Sequence, residues 1–326
     1  MDRTHRSSRT RSTALLALVV TLLPDGLLAL QRTPSNPALG ARISELVHTM
    51  LTGDNAQEAA ARDEAWAIFR SQGLPTIGEV GDEAAYSFIV LMCSTAQADL
   101  RALVLSKAKE TSARGALAAD AVSYCEARIR LDAARTAAMA RSPSHPELRD
   151  QIQRLVTDDQ AVRQRADFDP AKMQRADREH EAVVSSIFER YGMPTYAMVG
   201  PEAASNFVTL VQHQPPELRR RVLPRLKAAV DAGQADPKDY ANVYDRTERD
   251  AGRAQLYGQN LECSRENPTL HRAPIEQEAE VNVRRASIGL LRLEMYERLV
   301  IEMSPAMCGS AAPRRSRPRG PTAAPG

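Results

Sequence analysis

The chain has 326 residues, enough for one large domain or two small ones, and 43% of them are hydrophobic. Aromatic residues make up only 4%, which argues against a base-stacking nucleic-acid surface. The formal net charge of +2 comes from two basic ends. Without Arg3, Arg6, Arg9 and Arg11 (set against Asp2 and Asp25) and without Arg314, Arg315, Arg317 and Arg319, the body is near −4. Such a body is a poor match for a polyphosphate, so no nucleic-acid partner is expected.

Residues 1–29 read as a secretory signal peptide: a polar, basic start, an apolar run from Ala14 to Leu23, the breaker Pro24-Asp25-Gly26, and Leu27-Leu28-Ala29 at a cleavage position. The run is too short to span a bilayer comfortably, so a periplasmic or secreted protein with no stable membrane span is expected once the signal is removed. Residues 30–36 form a linker. Asn36-Pro37 then caps a helix with Leu39, Ile43, Leu46, Val47 and Met50 at helical spacing. Thr52-Gly53 stops it. A second helix runs from about Ala56 to Ser71, with Ala60, Trp66, Ile68 and Phe69 inward, and ends at Gly73. Helices follow at Glu83 to Cys93, Asp99 to Thr111 and Ala118 to Ala140. No convincing period-two alternation marks strands in this half. The four cysteines form no Cys-x-x-Cys pair, so a zinc site is not indicated and no metal is expected. They are either four buried thiols or two disulfides, Cys93–Cys125 and Cys263–Cys308 being the simplest pairing.

Pro143-Ser144-His145-Pro146 marks a boundary, after which the sequence repeats itself. Leu148, Ile152, Leu155 and Val156 repeat Leu39, Ile43, Leu46 and Val47. Gly192-Met193-Pro194-Thr195, Val199-Gly200 and Glu202-Ala203-Ala204 repeat Gly73-Leu74-Pro75-Thr76, Val80-Gly81 and Glu83-Ala84-Ala85. Leu218-Arg219 and Gly233 match Leu100-Arg101 and Gly115. The repeat is too long for a solenoid unit. The fold expected is all-α, a tandem-duplicated helical bundle with pseudo-twofold halves: residues 37–142 as a first, degenerate repeat, and residues 146–303 as the second repeat plus C-terminal helices that pack back on it.

A duplicate kept for packing need hold only its apolar positions, so polar groups confined to the second copy are candidates for a working site. These are Asp159, Gln160 and Arg163, then His213 (Ser94 in the first copy), Asp245-Arg246 (Ala127-Arg128), and Gln255, Tyr257, Gln259 and Asn260. Residues 146–297 resemble a bacterial family of unknown function, on Asp159-Gln160 with Arg163, Gly192-Met193-Pro194-Thr195 with Val199-Gly200, Gln212-His213, Asp245-Arg246, Gln255-Leu256-Tyr257-Gly258-Gln259-Asn260, and Arg284-Arg285 through Ile288-Gly289-Leu290 to Tyr296. The family's signature is Gln-x-Tyr-Gly-Thr-Gln; here Gln259-Asn260 stands for its Thr-Gln. The resemblance supports an architecture and site positions, not a reaction.

Read chemically, His213 is either the C-terminal cap of its helix or a general base needing a carboxylate from Asp159, Asp177 or Asp245. Asp245 and Arg246 suit ion pairs with Arg249 and Asp250, or an arginine held to grip an oxyanion. The amides around Gly258 suit a sugar or peptide ligand, or a turn. His180-Glu181, alone in mid-helix, reads as a solvated face. There is no His-Glu-x-x-His, Gly-x-Ser-x-Gly or phosphate loop, and no cofactor is expected. The leading expectation is a protein that binds a ligand or an envelope partner. The alternative is a metal-independent hydrolase or transferase using His213, an aspartate and Arg246. Residues 304–326, rich in Pro, Arg, Ala and Gly, are expected to be a disordered tail.

Overall fold

A computed structural model describes residues 33–94, 97–163, 169–263 and 270–303. The expected signal peptide and the expected tail, with Cys308, lie outside the described residues.

Helix ends follow the local chemistry. Asn36 Oδ1 accepts the Leu39 N–H at the start of α1 (Pro37–Thr52), and Asp54 caps α2 (Asn55–Gln72) in a box completed by Gln57. After α2 come α3 (Ile77–Val80), α4 (Asp82–Cys93), α5 (Ala98–Ala113) and α6 (Ala119–Met139). The later half has α7 (Pro146–Arg163), α8 (Pro170–Tyr191), α9 (Tyr196–Val199), α10 (Pro201–Gln212), α11 (Pro216–Asp231) and α12 (Pro237–Asp250). A two-residue antiparallel pair, β1 (Leu261–Glu262) and β2 (His271–Arg272), precedes α13 (Val281–Ser287) and α14 (Leu293–Met303). The fold is all-α.

The repeated glycines explain why the motif recurs. Gly73 and Gly192 end α2 and α8 at φ +79° and +71°, and Gly81 and Gly200 separate the short helix from the next at φ +88° and +83°, a region L side chains avoid. The linker before each half is tied down alike: Ser35 N–H donates to Gly78 O at 3.0 Å, and Ser144 N–H to Ala197 O at 3.1 Å. Likewise Ile77 N–H reaches Ala116 O and Tyr196 N–H reaches Gln234 O, both at 2.9 Å.

Two apolar clusters form the core. The first surrounds α4, whose residues from Ala84 to Cys93 are all buried, and includes the inward faces of α1, α5 and α6. A disulfide, Cys93–Cys125, joins α4 to α6 with Cα atoms 5.5 Å apart. In α2 Trp66, Ile68 and Phe69 pack against this core as expected, but Ala60 is exposed and the buried alanines are Ala61 and Ala65. The second cluster gathers α7 through α12 around Phe207, Val208 and Leu210.

The C-terminal helices do not simply pack back on the later half. Ala286 and Met295 belong to the first cluster, and Arg292 donates to Asp120 (2.6 Å) and Asp82 (2.6 Å) while lying 4.3 Å from the Tyr86 ring centre. On their other side Arg285 Nη1 donates to Tyr257 O at 2.6 Å and the Tyr296 hydroxyl to Gln259 O at 2.8 Å. Ala286 of α13 and Met295 of α14 complete the first core, while Arg285 and Tyr296 hold the loop that follows α12. Among the described residues no helix is long and apolar enough to cross a membrane.

Candidate functional site

The inward register of α7 runs Leu148, Ile152, Val156 and then Asp159. A carboxylate at a core position must be satisfied from within. Asp159, whose side chain is 1% exposed, accepts from Gln160 Nε2 (2.8 Å), Arg163 Nη2 (3.0 Å) and His213 Nδ1 (3.0 Å). The partners come from α7 itself and from the end of α10. Asp177 and His180 continue the inward register of Val184 and Ile187 on α8, and Arg163 bridges Asp159 to Asp177. His213 sits at the C-cap position of α10 with its side chain turned to Asp159, so it does not cap the helix carbonyls. His180 is not on a solvated face: its side chain is 13% exposed and its Nδ1 lies 3.9 Å from Asp159, with no hydrogen-bond partner. Burial by itself would raise the Asp159 pKa, but hydrogen bonds from His213 and Arg163 outweigh it and hold the carboxyl well below the usual range. Against an ionised carboxylate the His213 Nδ1 is the donor of this contact.

Beside this cluster is a cleft of about 260 Å³, lined among others by Asp177, His213, Gln214, Arg219, Arg246 and Asp250. Arg219 falls in the inward register of α11 with Val222, Leu226 and Ala229. It is 2% exposed; its Nη2 donates to Asp250 at 2.5 Å, and its Nε and Nη1 have no partner. Arg249 donates to the other Asp250 oxygen at 3.0 Å. Arg246 makes no hydrogen bond among the described residues; burial first, then Arg249 and Arg219, lower its pKa. Arg219 and Arg249 therefore share the Asp250 carboxylate, and Arg246 is left beside them without a bond to it. The ion pairs Asp245–Arg249 and Arg246–Asp250 expected from spacing do not form, because Asp250 is engaged by Arg219 and Arg249 and Asp245 is used elsewhere.

Cluster and cleft are both built from residues of α7 to α12. Residues 146–305 match a family of unknown function, DUF6624. No significant match was found among the curated proteins or the solved structures.

The matched segment also contains the amide-rich stretch, which forms a separate structure. Asp245 is 0% exposed and accepts the backbone N–H groups of Leu256 (2.8 Å), Tyr257 (3.1 Å) and Gln259 (2.9 Å). Burial raises its pKa, against these three bonds. Gln255 is likewise buried: its Oε1 accepts the Asn260 N–H at 2.7 Å and its Nε2 donates to Asn260 O at 2.9 Å. Gly258 has φ +69°, and a Cβ there would meet Ile275 Cδ1 at 2.7 Å and Leu293 Cδ1 at 2.9 Å. Tyr257 neighbours Tyr244 and Asp245, and Gln259 lines a second cleft of about 530 Å³ between the halves. The sequence candidates thus separate. Asp159, Gln160, Arg163, His213 and Arg246 gather at the cluster and cleft, whereas Asp245, Gln255, Tyr257, Gln259 and Asn260 brace a loop. Arg249 bridges the two, its Nη1 lying 3.4 Å from Asn260 Oδ1.

Arg219, Gln214 and His180 were missed as site residues. The signal for two of them was present: Arg219 and His180, like Asp159, are polar residues standing in the apolar register of a helix. One ligand atom each from Asp159, Asp177 and His213 lie within 4.8 Å of one another, a spacing a metal ion uses. Arg163 is bonded to both of those carboxylates, so a cation would have to displace a guanidinium, and the donor set reads as an ion-pair cluster.

Proposed function

We propose that this is an exported protein that binds a small anionic ligand in the Arg246 cleft, and that the first half is a structural companion related to the second by duplication. A comparison internal to the chain carries the reading. In the first half Arg101 Nη1 and Arg128 Nη2 both donate to Asp132, at 3.0 and 3.2 Å. Their counterparts in the repeat are Arg219, Arg246 and Asp250. Where the first half has Leu131, the second has Arg249, and Arg249 takes the Asp250 oxygen that Arg128 takes on Asp132. Arg246 is thereby left without a hydrogen-bonded acceptor in a cleft whose lining sets Arg178, Arg219 and Arg246 against Asp177, Glu181 and Asp250, and a guanidinium with no acceptor favours an oxyanion. The volume of about 260 Å³ suits a ligand smaller than a drug-sized molecule.

Titration of the purified protein with sulfate and with acetate, followed by backbone NMR shifts, tests this. Binding at residues around Arg246 is expected, with a loss of about tenfold or more in Arg246→Gln. Arg249→Leu should weaken binding similarly, by letting Arg246 settle on Asp250. An Arg246→Gln variant that binds both anions as the wild type does would remove the basis for the reading. Export is supported by the pattern of residues 1–29 and is checked by sequencing the mature N-terminus of native protein; an intact Met1 would refute it.

The His213–Asp159 contact supports a second reading, a hydrolase or transferase with His213 as general base. The described residues lining the cleft include no hydroxyl or thiol, so the attacking group would be water. His213→Ala that retains anion affinity but loses a measured turnover would select this reading over binding alone.

A further inference from the structure

Resting on the anion-binding reading above, we infer that the ligand of the Arg246 cleft is a small oxyanion that carries its own hydrogen-bond donor. The geometry of Gln214 leads to this. Gln214 is 2% exposed and lines the cleft beside Arg219 and Arg246. Its Nε2 donates to Leu210 O at 3.1 Å, which fixes the amide: the flipped form would set carbonyl against carbonyl. The Oε1 is therefore held away from Leu210, and this oxygen is buried with no donor. Arg219, 2% exposed, contributes the opposite deficit, since its Nε and Nη1 are buried donors with no acceptor. Each such group carries a desolvation cost when left unmet, and native folds keep few of them.

The lining residues Arg219 and Gln214 thus carry guanidinium N–H groups lacking an acceptor and a carbonyl lacking a donor, buried just behind the cleft surface, which a ligand reaches as these side chains shift toward it. A bare anion such as acetate or sulfate satisfies the first and leaves the second unmet, with the anion's own lone pairs facing the Gln214 oxygen. A group that offers both, such as a 2-hydroxycarboxylate or a protonated phosphate, satisfies the two together. Arg246, with no acceptor of its own, provides the charge, and Gln214 selects by hydrogen bonding.

The test uses matched probes on the full chain, by calorimetric or NMR titration at pH 6. Glycolate is compared with acetate, which has the same charge and no hydroxyl. Inorganic phosphate, largely the monoanion at this pH, is compared with sulfate, which has the larger charge and no proton. The donor-bearing member of a pair should bind about tenfold more tightly. Preference in the glycolate pair alone assigns the ligand to hydroxy acids; preference in the phosphate pair alone assigns it to phosphates. Gln214→Met should erase the preference within each pair; if that variant does not fold, the wild-type pairs decide the matter. Equal affinity within both pairs overturns the inference and leaves the anion reading standing. No binding of any of the four by the wild type overturns the anion reading itself.

Discussion

Replacing Asp245 by Asn tests whether this carboxylate is part of the loop's framework. Its Oδ1 accepts from Leu256 N (2.8 Å) and Tyr257 N (3.1 Å), and its Oδ2 from Tyr257 N (3.2 Å) and Gln259 N (2.9 Å). An asparagine keeps one oxygen and puts an NH₂ in place of the other. Whichever way it turns, either Leu256 or Gln259 loses its acceptor, at about 1–3 kcal/mol for a buried N–H. The two bonds that remain pass from a charged to a neutral acceptor, at about 1 kcal/mol each. Against this, burial raises the Asp245 pKa, so part of the cost of the buried charge is recovered. The net expectation is a loss of about 2–4 kcal/mol in urea unfolding at pH 7. Faster hydrogen exchange at residues 256–259 should accompany it, with anion affinity at Arg246 kept in the folded protein. A stability change under about 0.5 kcal/mol, the range typical of surface substitutions, or unchanged exchange in that loop, would refute the reasoning.

The pH dependence of stability has two opposing contributions. Asp159 is held below the usual carboxyl range, mainly by His213 and Arg163 acting against burial, so its contribution is present above about pH 4 and is lost as pH falls further. Asp159→Asn should flatten the acid limb of a melting profile; identical limbs would contradict the ion-pair description. Asp239, buried and next to Asp236, is pushed up to about 7. Its folded pKa exceeds the unfolded value of 3.8, so stability from this group is greatest below that value and falls as pH rises to about 7. Asp239→Asn should remove that decline between pH 5 and 7 in thermal melts, and a wild-type-like decline in the variant would count against the assignment. The Cys93–Cys125 link has a sequence separation of 32, for which the chain-entropy relation gives about 3–4 kcal/mol. Denaturation of a Cys93→Ala, Cys125→Ala double variant should show this loss, and an unchanged midpoint would show that α4 and α6 need no covalent link.

Most helix boundaries were legible in the sequence because they are set locally. Caps such as Asn36 and Asp54, first-turn prolines and positive-φ glycines act within a few residues, and the apolar period of 3.6 selects one face of each helix. The doubling of the motif was visible for the same reason. So, in part, was the cluster, since a charged residue standing in an apolar register, as Asp159 does after Val156, marks a buried polar group.

The choice of partner was settled only by tertiary packing. Asp159 bonds His213 across 54 positions and Arg219 bonds Asp250 across 31, because α7 packs against α10 and α11 against α12. Neighbouring sequence suggested Arg249 for Asp245. The fold instead brings the backbone N–H groups of residues 256–259 to Asp245, and a buried carboxylate answers to whatever donors surround it. Likewise the consequence of an arginine at 249 where the first half has Leu131 follows only once the helices around Asp132 and Asp250 are in place. Which face a side chain occupies follows from the local helical period. Which charge it meets depends on contacts between residues far apart in the chain, and no local pattern encodes those.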